Sequence, residues 1–190
     1  FSGEFDGKGH VISGLALNLP EKDGVGFFGC LDANAYIHDL GIQGGSVVGY
    51  HMVCGIVGYN REGRIDRCYA SCSATGFAYV GGLVGQNNGS ITDCYATGAA
   101  RATDPVMNST YSMYSGGLAG FNYGTITNCY STGRVSGGAR GGLTSTSSTG
   151  TVINSFWDKY MSISTVSGGG TMKLTAELKT LATFTDVGWD

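Results

Sequence analysis

A glycine-bounded tetrad that recurs along the chain constrains the fold more strongly than any other feature of the sequence. Four copies have the form Gly-apolar-small or apolar-Gly, and a fifth copy is degenerate. They occupy residues 26–29, 55–58, 82–85, 117–120 and 142–145. Their starting positions differ by 29, 27, 35 and 25 residues. A period of roughly 20–50 residues indicates similar units that stack on one another.

An aliphatic block follows each tetrad. Its aliphatic residue recurs with steps of 28, 26, 35 and 26 residues, and Ile12 fits as an earlier member. The residues are Ile37, Ile65, Ile91, Ile126 and Val152. Each apolar run is short and is bounded by glycine or asparagine, which is typical of strands separated by turns. The pattern predicts one coil of a β-solenoid per unit, because a propeller blade needs a longer repeat of about 40–45 residues.

Equivalent residues of stacked coils lie on top of one another, so the repeat also predicts the core. The predicted core consists of the stacked residues Ile37, Leu40, Ile56, Ile65, Leu83, Ile91, Leu118 and Ile126. Asparagine recurs two residues after the last glycine of three tetrads, at Asn60, Asn87 and Asn122. We expect these asparagine side chains to hydrogen-bond along the stack.

The composition excludes several other classes of protein. Glycine accounts for 34 of the 190 residues without a three-residue period, so the chain is not collagen-like. This much glycine also argues against a helical bundle, and 11 tyrosines with 8 phenylalanines argue against disorder. A net charge of −3 gives no basis for nucleic-acid binding, and no apolar run is long enough for membrane insertion. The chain begins at Phe1 without a signal peptide, from which we expect a processed product or a fragment.

The tetrads and the G-x-I-x-x-C-Y pattern resemble GLUG repeats, of which the best-preserved units are GGLVGQNNGSITDCYATG and GGLAGFNYGTITNCYSTG. The opening FSGEFDGKGHVISGL and the ending that starts at INSFWDKYMS resemble the segments that flank such repeats. GLUG repeats occur in bacterial surface and secreted proteins, including regions beside IgA-peptidase domains. The resemblance implies a β-helical, extracellular, non-catalytic module. Two copies depart from the pattern, with Phe27-Phe28 in the first tetrad and Thr144-Ser145 in the last.

We therefore predict an all-β fold, a right-handed parallel β-helix of about five or six coils over residues 1–158. Residues 159–190 are predicted to close the last coil as a capping segment of the same domain. Within this segment, residues 174–184 form the only helix-like stretch, with Thr175 as the predicted N-cap. We expect Leu178 and Leu181 to be buried against the final coil.

Three of the six cysteines share one repeat position. Cys68, Cys94 and Cys129 each lie three residues after the aliphatic residue, and Ser155 continues the series. Three stacked cysteines cannot all pair with one another, and neighbours in register lie too far apart for a disulfide. The spacing favours a column of buried thiols over disulfides, metal ligation or redox chemistry. The remaining three, Cys30, Cys54 and Cys72, share no repeat position, and their disulfide status stays open.

An aromatic residue follows each member of this column directly. The series is Tyr69, Tyr95, Tyr130 and Phe156. Strand alternation directs these rings away from the cysteines and hence outward, which makes them candidate surface contacts. The rings are either a platform for sugars or a partner protein, or a stack that stabilises the sheet itself. Mutual stacking is the favoured interpretation.

One repeat interval is longer than the others, and the excess falls in residues 99–114. The excess predicts a loop that projects from the solenoid wall, for which simple drift in length is favoured over a functional role. Asp104, Asn108 and Tyr111 of this segment are further candidate surface contacts.

Catalytic and metal-binding motifs are absent from the sequence. No C-x-x-C or H-E-x-x-H spacing occurs, and Asp6 alone does not make a calcium loop. The best carboxylate candidates for a glycan-cleaving enzyme are Asp39, Asp66, Asp93 and Asp158. Asp39 and Asp93 share a repeat position, but Arg67 lies between them, which favours solvated or corner-bonded aspartates. We predict no catalytic residues, no cofactor and no metal.

The predicted function is that of a non-catalytic structural or adhesive module of a secreted or cell-surface bacterial protein, with a protein or glycan as its ligand. Two alternatives remain open. The chain could be the subunit of a filament that assembles end to end, since the first coil exposes unpaired strand edges. It could also be a carbohydrate-active β-helix enzyme, which a cleft with paired carboxylates would favour.

Overall fold

The computed structural model describes residues 1–104 and 113–189. The chain is all-β, with about 48% strand and 6% helix, and it forms a parallel β-solenoid of about five turns. The strands group into four parallel sheets, which we name A to D. The predicted class of fold, a parallel β-helix, is confirmed.

Sheet A carries the recurring aliphatic residues. Its six strands, in spatial order, are Glu4–Asp6, Tyr36–His38, Arg64–Asp66, Ser90–Thr92, Thr125–Thr127 and Thr151–Ile153. Ile91 pairs with Ile65 on one side and with Ile126 on the other, as predicted. Phe5, and not Ile12, is the partner of Ile37. The assignment of Ile12 to this series is therefore wrong, because Ile12 pairs with Ile42 in a different sheet.

Sheet B is the largest sheet, with ten strands. Two long strands, Val11–Asn18 and Gly41–Val48, pair with each other. In later coils the long strand is replaced by two short ones, so the sheet forks after Gly41–Val48. One branch contains Tyr69–Ala70, Tyr95–Ala96, Tyr130–Ser131, Phe156–Asp158 and Thr171–Lys173. The other branch contains Ser73–Gly76, Ala100–Ala102 and Val135–Ser136.

Sheets C and D meet at the glycine tetrads, and the last two residues of four tetrads begin the strands of sheet D. Sheet C consists of His51–Val53, Ala78–Gly81, Tyr114–Gly116 and Ala139–Gly141. Sheet D consists of Phe28–Leu31, Val57–Asn60, Val84–Asn87 and Ala119–Asn122. A Cβ atom on Gly82 would lie 2.3 Å from the carbonyl oxygen of Gly117, the first glycine of the next tetrad. Neighbouring coils approach so closely here that only glycine fits, which explains the first position of the repeated tetrad.

The aliphatic side chains fill one continuous core along the solenoid axis. All eight predicted core residues are buried, including Leu83, Leu118 and Ile126. At the N-terminal end, four rings, those of Phe1, Phe5, Phe27 and Phe28, pack against one another with centroids 5.0–6.1 Å apart. The departure of the first tetrad from the repeat pattern thus places aromatic rings over the first coil.

The C-terminal end of the core is covered by backbone. A Cβ atom on Gly169 would lie 2.5 Å from a methyl carbon of Val152, and one on Gly170 would lie 2.8 Å from a methyl carbon of Leu143. The triglycine at residues 168–170 therefore crosses directly over the last aliphatic side chains. The strand Thr171–Lys173 then pairs with Phe156–Asp158 and adds a rung to sheet B.

The capping segment contains short helical elements. These are the α-helices Lys159–Ser162 and Ala182–Thr185 and the 3-10 helix Glu177–Lys179. The prediction of one continuous helix over 174–184 is wrong, because Thr180 has an extended backbone between the last two elements. The hydroxyl of Thr183 donates to the carbonyl of Glu177 at 2.7 Å, a local bond that competes with regular helix.

Two finer predictions about this segment also fail. Thr175 does not cap a helix, because its hydroxyl donates to Asp158 Oδ1 at 3.0 Å instead. Leu181 was predicted to be buried, but it is 76% exposed, since the break at Thr180 turns it away from the solenoid. No helix among the described residues has the length and apolar character needed to span a membrane.

Candidate functional site

The cysteine column forms a hydrogen-bonded ladder at the corner between the strands of sheet A and those of sheet B. The backbone N–H of Cys68 donates to Cys94 Sγ at 3.3 Å, and that of Cys94 donates to Cys129 Sγ at 3.4 Å. The N–H of Cys129 donates to Ser155 Oγ at 3.0 Å, so serine continues the column as predicted. Burial raises the pKa of Cys94 well above its ordinary value. All six cysteines are free in the structure, and the three of the column are buried, in agreement with the thiol interpretation.

The tyrosines that follow the thiols stack face to face on the outside of the sheet. The rings of Tyr69 and Tyr95 are 4.9 Å apart and 2° from parallel, and those of Tyr95 and Tyr130 are 5.0 Å apart and 8° from parallel. At the other end of the column, a Cβ on Gly41 would lie 2.4 Å from the Tyr69 ring. The faces of these rings therefore contact their neighbours in the column, and mainly the ring edges are exposed to solvent. This geometry supports mutual stacking over a flat platform for sugars.

Phe156, the fourth predicted surface contact, is not on the surface. It is 3% exposed, because Phe184 and Trp189 cover it with ring centroids 5.8 and 6.0 Å away. Lys173 lies over the same ring at 5.7 Å. The repeat pattern placed Phe156 correctly in the aromatic column, but it contained no information on how the C-terminal segment folds back over it.

A groove opens where the C-terminal segment meets the end of the tyrosine column. It has a volume of about 670 Å³, within the range of ligand sites in proteins. Its walls are Tyr130, Thr132, Asp158, Met161, Thr175, Leu178, Lys179, Leu181, Phe184, Thr185 and Trp189. The indole N–H of Trp189 donates to the carbonyl of Asn154 at 3.0 Å, which fixes the orientation of the ring.

A second, more polar pocket of about 350 Å³ shares Tyr130 and Trp189 with the groove. It is lined by Arg67, Asp93 and Asn128 together with Tyr95. These three polar residues occupy one corner position in successive coils, each with a positive φ between 46° and 52°. Sequence analysis found the aromatic column but missed both cavities, since they exist only because residues 184–189 lie against Tyr130.

The long repeat interval separates the strands Ala100–Ala102 and Tyr114–Gly116. Asp104, a predicted contact, is half-buried at the start of this connection. The other two predicted contacts, Asn108 and Tyr111, lie outside the described residues, as does the tip of the predicted loop.

Two of the predicted carboxylate candidates, Asp39 and Asp66, are held in hydrogen bonds to Arg67. Arg67 donates to both oxygens of Asp39, each at 2.8 Å, and its remaining nitrogen donates to Asp66. The guanidinium bonds hold the pKa of Asp39 far below its usual range. Asp66 is buried and also accepts from the Tyr36 hydroxyl at 3.0 Å. These contacts agree with the interpretation of corner-bonded aspartates.

Asp158 is also held by hydrogen bonds that stabilise the fold. Its Oδ1 accepts from the backbone N–H groups of Tyr160 and Met161 at 2.8 and 3.0 Å and caps the helix Lys159–Ser162. Asp93 is exposed at the mouth of the smaller pocket.

Comparisons with known proteins agree with this architecture. The GLUG motif matches residues 78–101 and 111–136, which span two units of the repeat. Over 88 residues, 46% of its length, the chain is 36% identical to Halomucin from Haloquadratum walsbyi (strain DSM 16790 / HBSQ001). The crystal structure of a candidate immunoglobulin A1 protease from Bacteroides ovatus superimposes with a TM-score of 0.61 and 23% identity, over 81% of this chain. At that identity the likeness concerns the fold alone.

The chain is similar to segments of longer proteins. It spans about 1% of the length of Halomucin and about half, 51%, of the solved chain from Bacteroides ovatus.

Proposed function

We propose that this chain, a β-solenoid built from GLUG repeats, is a non-catalytic adhesive segment of a secreted or cell-surface protein. In this proposal the groove at the end of the tyrosine column binds a glycan. The relatives support the setting: one carries a mucin name, and the other is described as a candidate immunoglobulin A1 protease. The single observation that supports a glycan as the ligand is the composition and size of the groove.

The groove combines the two kinds of contact that a sugar requires. Phe184 and Trp189, beside the edge of Tyr130, offer aromatic surface to the apolar C–H face of a pyranose ring. The hydroxyl of Thr132 and the ammonium group of Lys179 offer hydrogen bonds to the sugar hydroxyls. The smaller pocket beyond Trp189 adds Arg67, Asp93 and Asn128, which suits a ligand of more than one sugar unit.

A glycan array followed by calorimetry with the best-bound oligosaccharide tests the proposal. We expect Lys179→Ala and Thr132→Ala to weaken binding several-fold without loss of fold, because both side chains line the groove. Trp189→Ala should abolish it, although this ring also packs on Phe156 and its variant needs a check by circular dichroism. The matched control is Tyr160→Ala, which removes an exposed aromatic residue outside the groove. Equal affinity in the control and in the groove variants would reject the proposed site.

End-to-end association is a second candidate, and the phenylalanine cluster of the first coil favours it. Phe1 and Phe27 are 44% and 36% exposed there, although aromatic rings normally bury most of their surface. A second copy docking on this cluster would also pair the first strand edges of the solenoid. Light scattering coupled to gel filtration over a concentration series tests the idea, with Phe27→Ser expected to abolish association. A monodisperse monomer at the highest concentration excludes it.

A further inference from the structure

A histidine and two aspartates of adjacent coils meet on the outer corner of sheet A. Asp6, His38 and Asp39 each place one ligand atom within 4.8 Å of the others. Asp6 pairs with His38 across the first two strands of the sheet. Asp39 follows with a φ of 54°, which turns its side chain back towards the histidine. The absence of a local metal motif in the sequence says nothing about such a site, because Asp6 lies 32 residues before His38 in the chain and meets it only through strand pairing.

Carboxylate oxygens face both ring nitrogens of His38. Nε2 lies 3.1 Å from Glu4 Oε1, whereas Nδ1 lies 2.7 Å from Asp39 Oδ2 and 3.6 Å from Asp6 Oδ1. A neutral imidazole carries only one N–H. If Nε2–H donates to Glu4, the lone pair of Nδ1 points at two negatively charged oxygens. In either neutral tautomer one ring nitrogen turns its lone pair towards a carboxylate, and a metal ion on Nδ1 or a second ring proton removes that repulsion.

Each member of the triad is also held by a group outside it. Glu4 orients the ring of His38, and Arg67 clamps both oxygens of Asp39 at 2.8 Å. The backbone N–H of Lys8 donates to Asp6 Oδ1 at 2.8 Å. A carboxylate on the far nitrogen of the histidine and hydrogen bonds to the ligating carboxylates are the usual surroundings of metal ligands in proteins.

We propose that Asp6, His38 and Asp39 bind one Zn²⁺ ion, through His38 Nδ1 and one oxygen of each aspartate. An imidazole nitrogen among the ligands favours zinc over Mg²⁺ and Ca²⁺, which take oxygen ligands. The carboxylates of Glu4, Asp6, Asp39 and Asp66 outnumber the guanidinium groups of Arg64 and Arg67 by two charges, and a divalent ion balances that difference. The bound ion joins the first coil to the second.

Zinc titration of the purified chain after dialysis against a chelator tests the proposal. We expect calorimetry to show one Zn²⁺ per chain, and the midpoint of thermal unfolding to rise with zinc concentration because the ion binds only the folded coils. Ca²⁺ and Mg²⁺ at the same concentrations should leave the midpoint unchanged. A Cys30→Ser background removes the one cysteine that is not fully buried, and with it adventitious thiol binding.

Substitutions in this background locate the ion. His38→Gln and Asp6→Asn should each lower the zinc affinity at least tenfold, and Glu4→Gln should lower it by about 10- to 100-fold through the orientation of the ring. The matched control is His51→Gln, which alters a second histidine–aspartate pair, with Nδ1 3.0 Å from Asp23 Oδ1, and should bind zinc as the parent does. Zinc binding undiminished in folded His38→Gln or Asp6→Asn overturns the proposal, as does a parent chain that binds no Zn²⁺.

Discussion

The side-chain amide of Asn60 donates to Oδ1 of Asn87 in the next coil at 2.8 Å, inside the protein and away from solvent. Asn87 repeats the bond to Asn122 at 2.7 Å. Each amide also donates to a backbone carbonyl of its own turn, as Asn60 does to Gly63 at 3.0 Å. The ladder predicted from the repeat is confirmed. It begins at Asn60, because Leu31 occupies this position in the preceding coil and leaves Asn60 Oδ1 without a partner.

The middle asparagine should contribute most to stability. Asn87→Ala removes both ladder bonds and leaves Asn122 Oδ1 buried without its donor, which we expect to cost about 2–4 kcal/mol. Asn60→Ala breaks only one ladder bond, so its cost should be about half as large. Differential scanning calorimetry of the two variants measures which substitution lowers the thermal stability more. A smaller loss of thermal stability in Asn87→Ala than in Asn60→Ala would contradict this account of the ladder.

The thiols should differ sharply in reactivity. Cys54, Cys68, Cys72, Cys94 and Cys129 are buried, and Cys30 is partly exposed. We expect one thiol to be alkylated rapidly at pH 8 in the native state, and six after denaturation without reductant. Burial and the raised pKa of Cys94 keep its reactive thiolate form rare at that pH. Mass spectrometry of the alkylated peptides identifies the sites, and a requirement for reductant would instead indicate disulfides.

The tyrosine column should stabilise the solenoid through its rings and not through its hydroxyl groups. Tyr95 stacks on both Tyr69 and Tyr130, so Tyr95→Ala should cost about 1–3 kcal/mol from two lost ring contacts. Tyr95→Phe keeps both ring contacts, so its free energy of unfolding should lie within about 0.5 kcal/mol of that of the parent. Thermal unfolding followed by circular dichroism compares the pair. Equal destabilisation by the two substitutions would show that the hydroxyl, and not stacking, is what matters.

The triglycine over the end of the core should not tolerate side chains. Gly169→Ala places a Cβ against Val152 and should cost about 1–3 kcal/mol through overpacking. Gly3→Ala is the matched control, since its Cβ would meet only ordinary contacts at 3.7 Å. Both tryptophans, Trp157 and Trp189, lie in the last coil and the cap, so their fluorescence reports this end. If the unfolding midpoint measured by fluorescence is unchanged in Gly169→Ala, the triglycine segment moves away from Val152 at little cost in free energy.

The repeat determined most of the fold because, in a solenoid, residues one sequence period apart contact one another in neighbouring coils. Once Ile65, Ile91 and Ile126 are in phase, the parallel register, the core and the ladders of asparagine, cysteine and tyrosine all follow. Ile12 was misassigned because the first coil replaces the isoleucine with Phe5, and a period cannot show where a substitution has occurred.

Only the tertiary structure decided what lies at the ends and corners. The burial of Phe156, the exposure of Leu181 and the groove beside Trp189 all depend on how a non-repeating segment folds back on the last coil. The meeting of Asp6 with His38 and Asp39 depends on the side-chain directions at one corner of two coils. Equivalent positions in a repeat stack because strand pairing holds them in register, whereas contacts between a cap and a wall, or across a corner, follow no period and arise from packing alone.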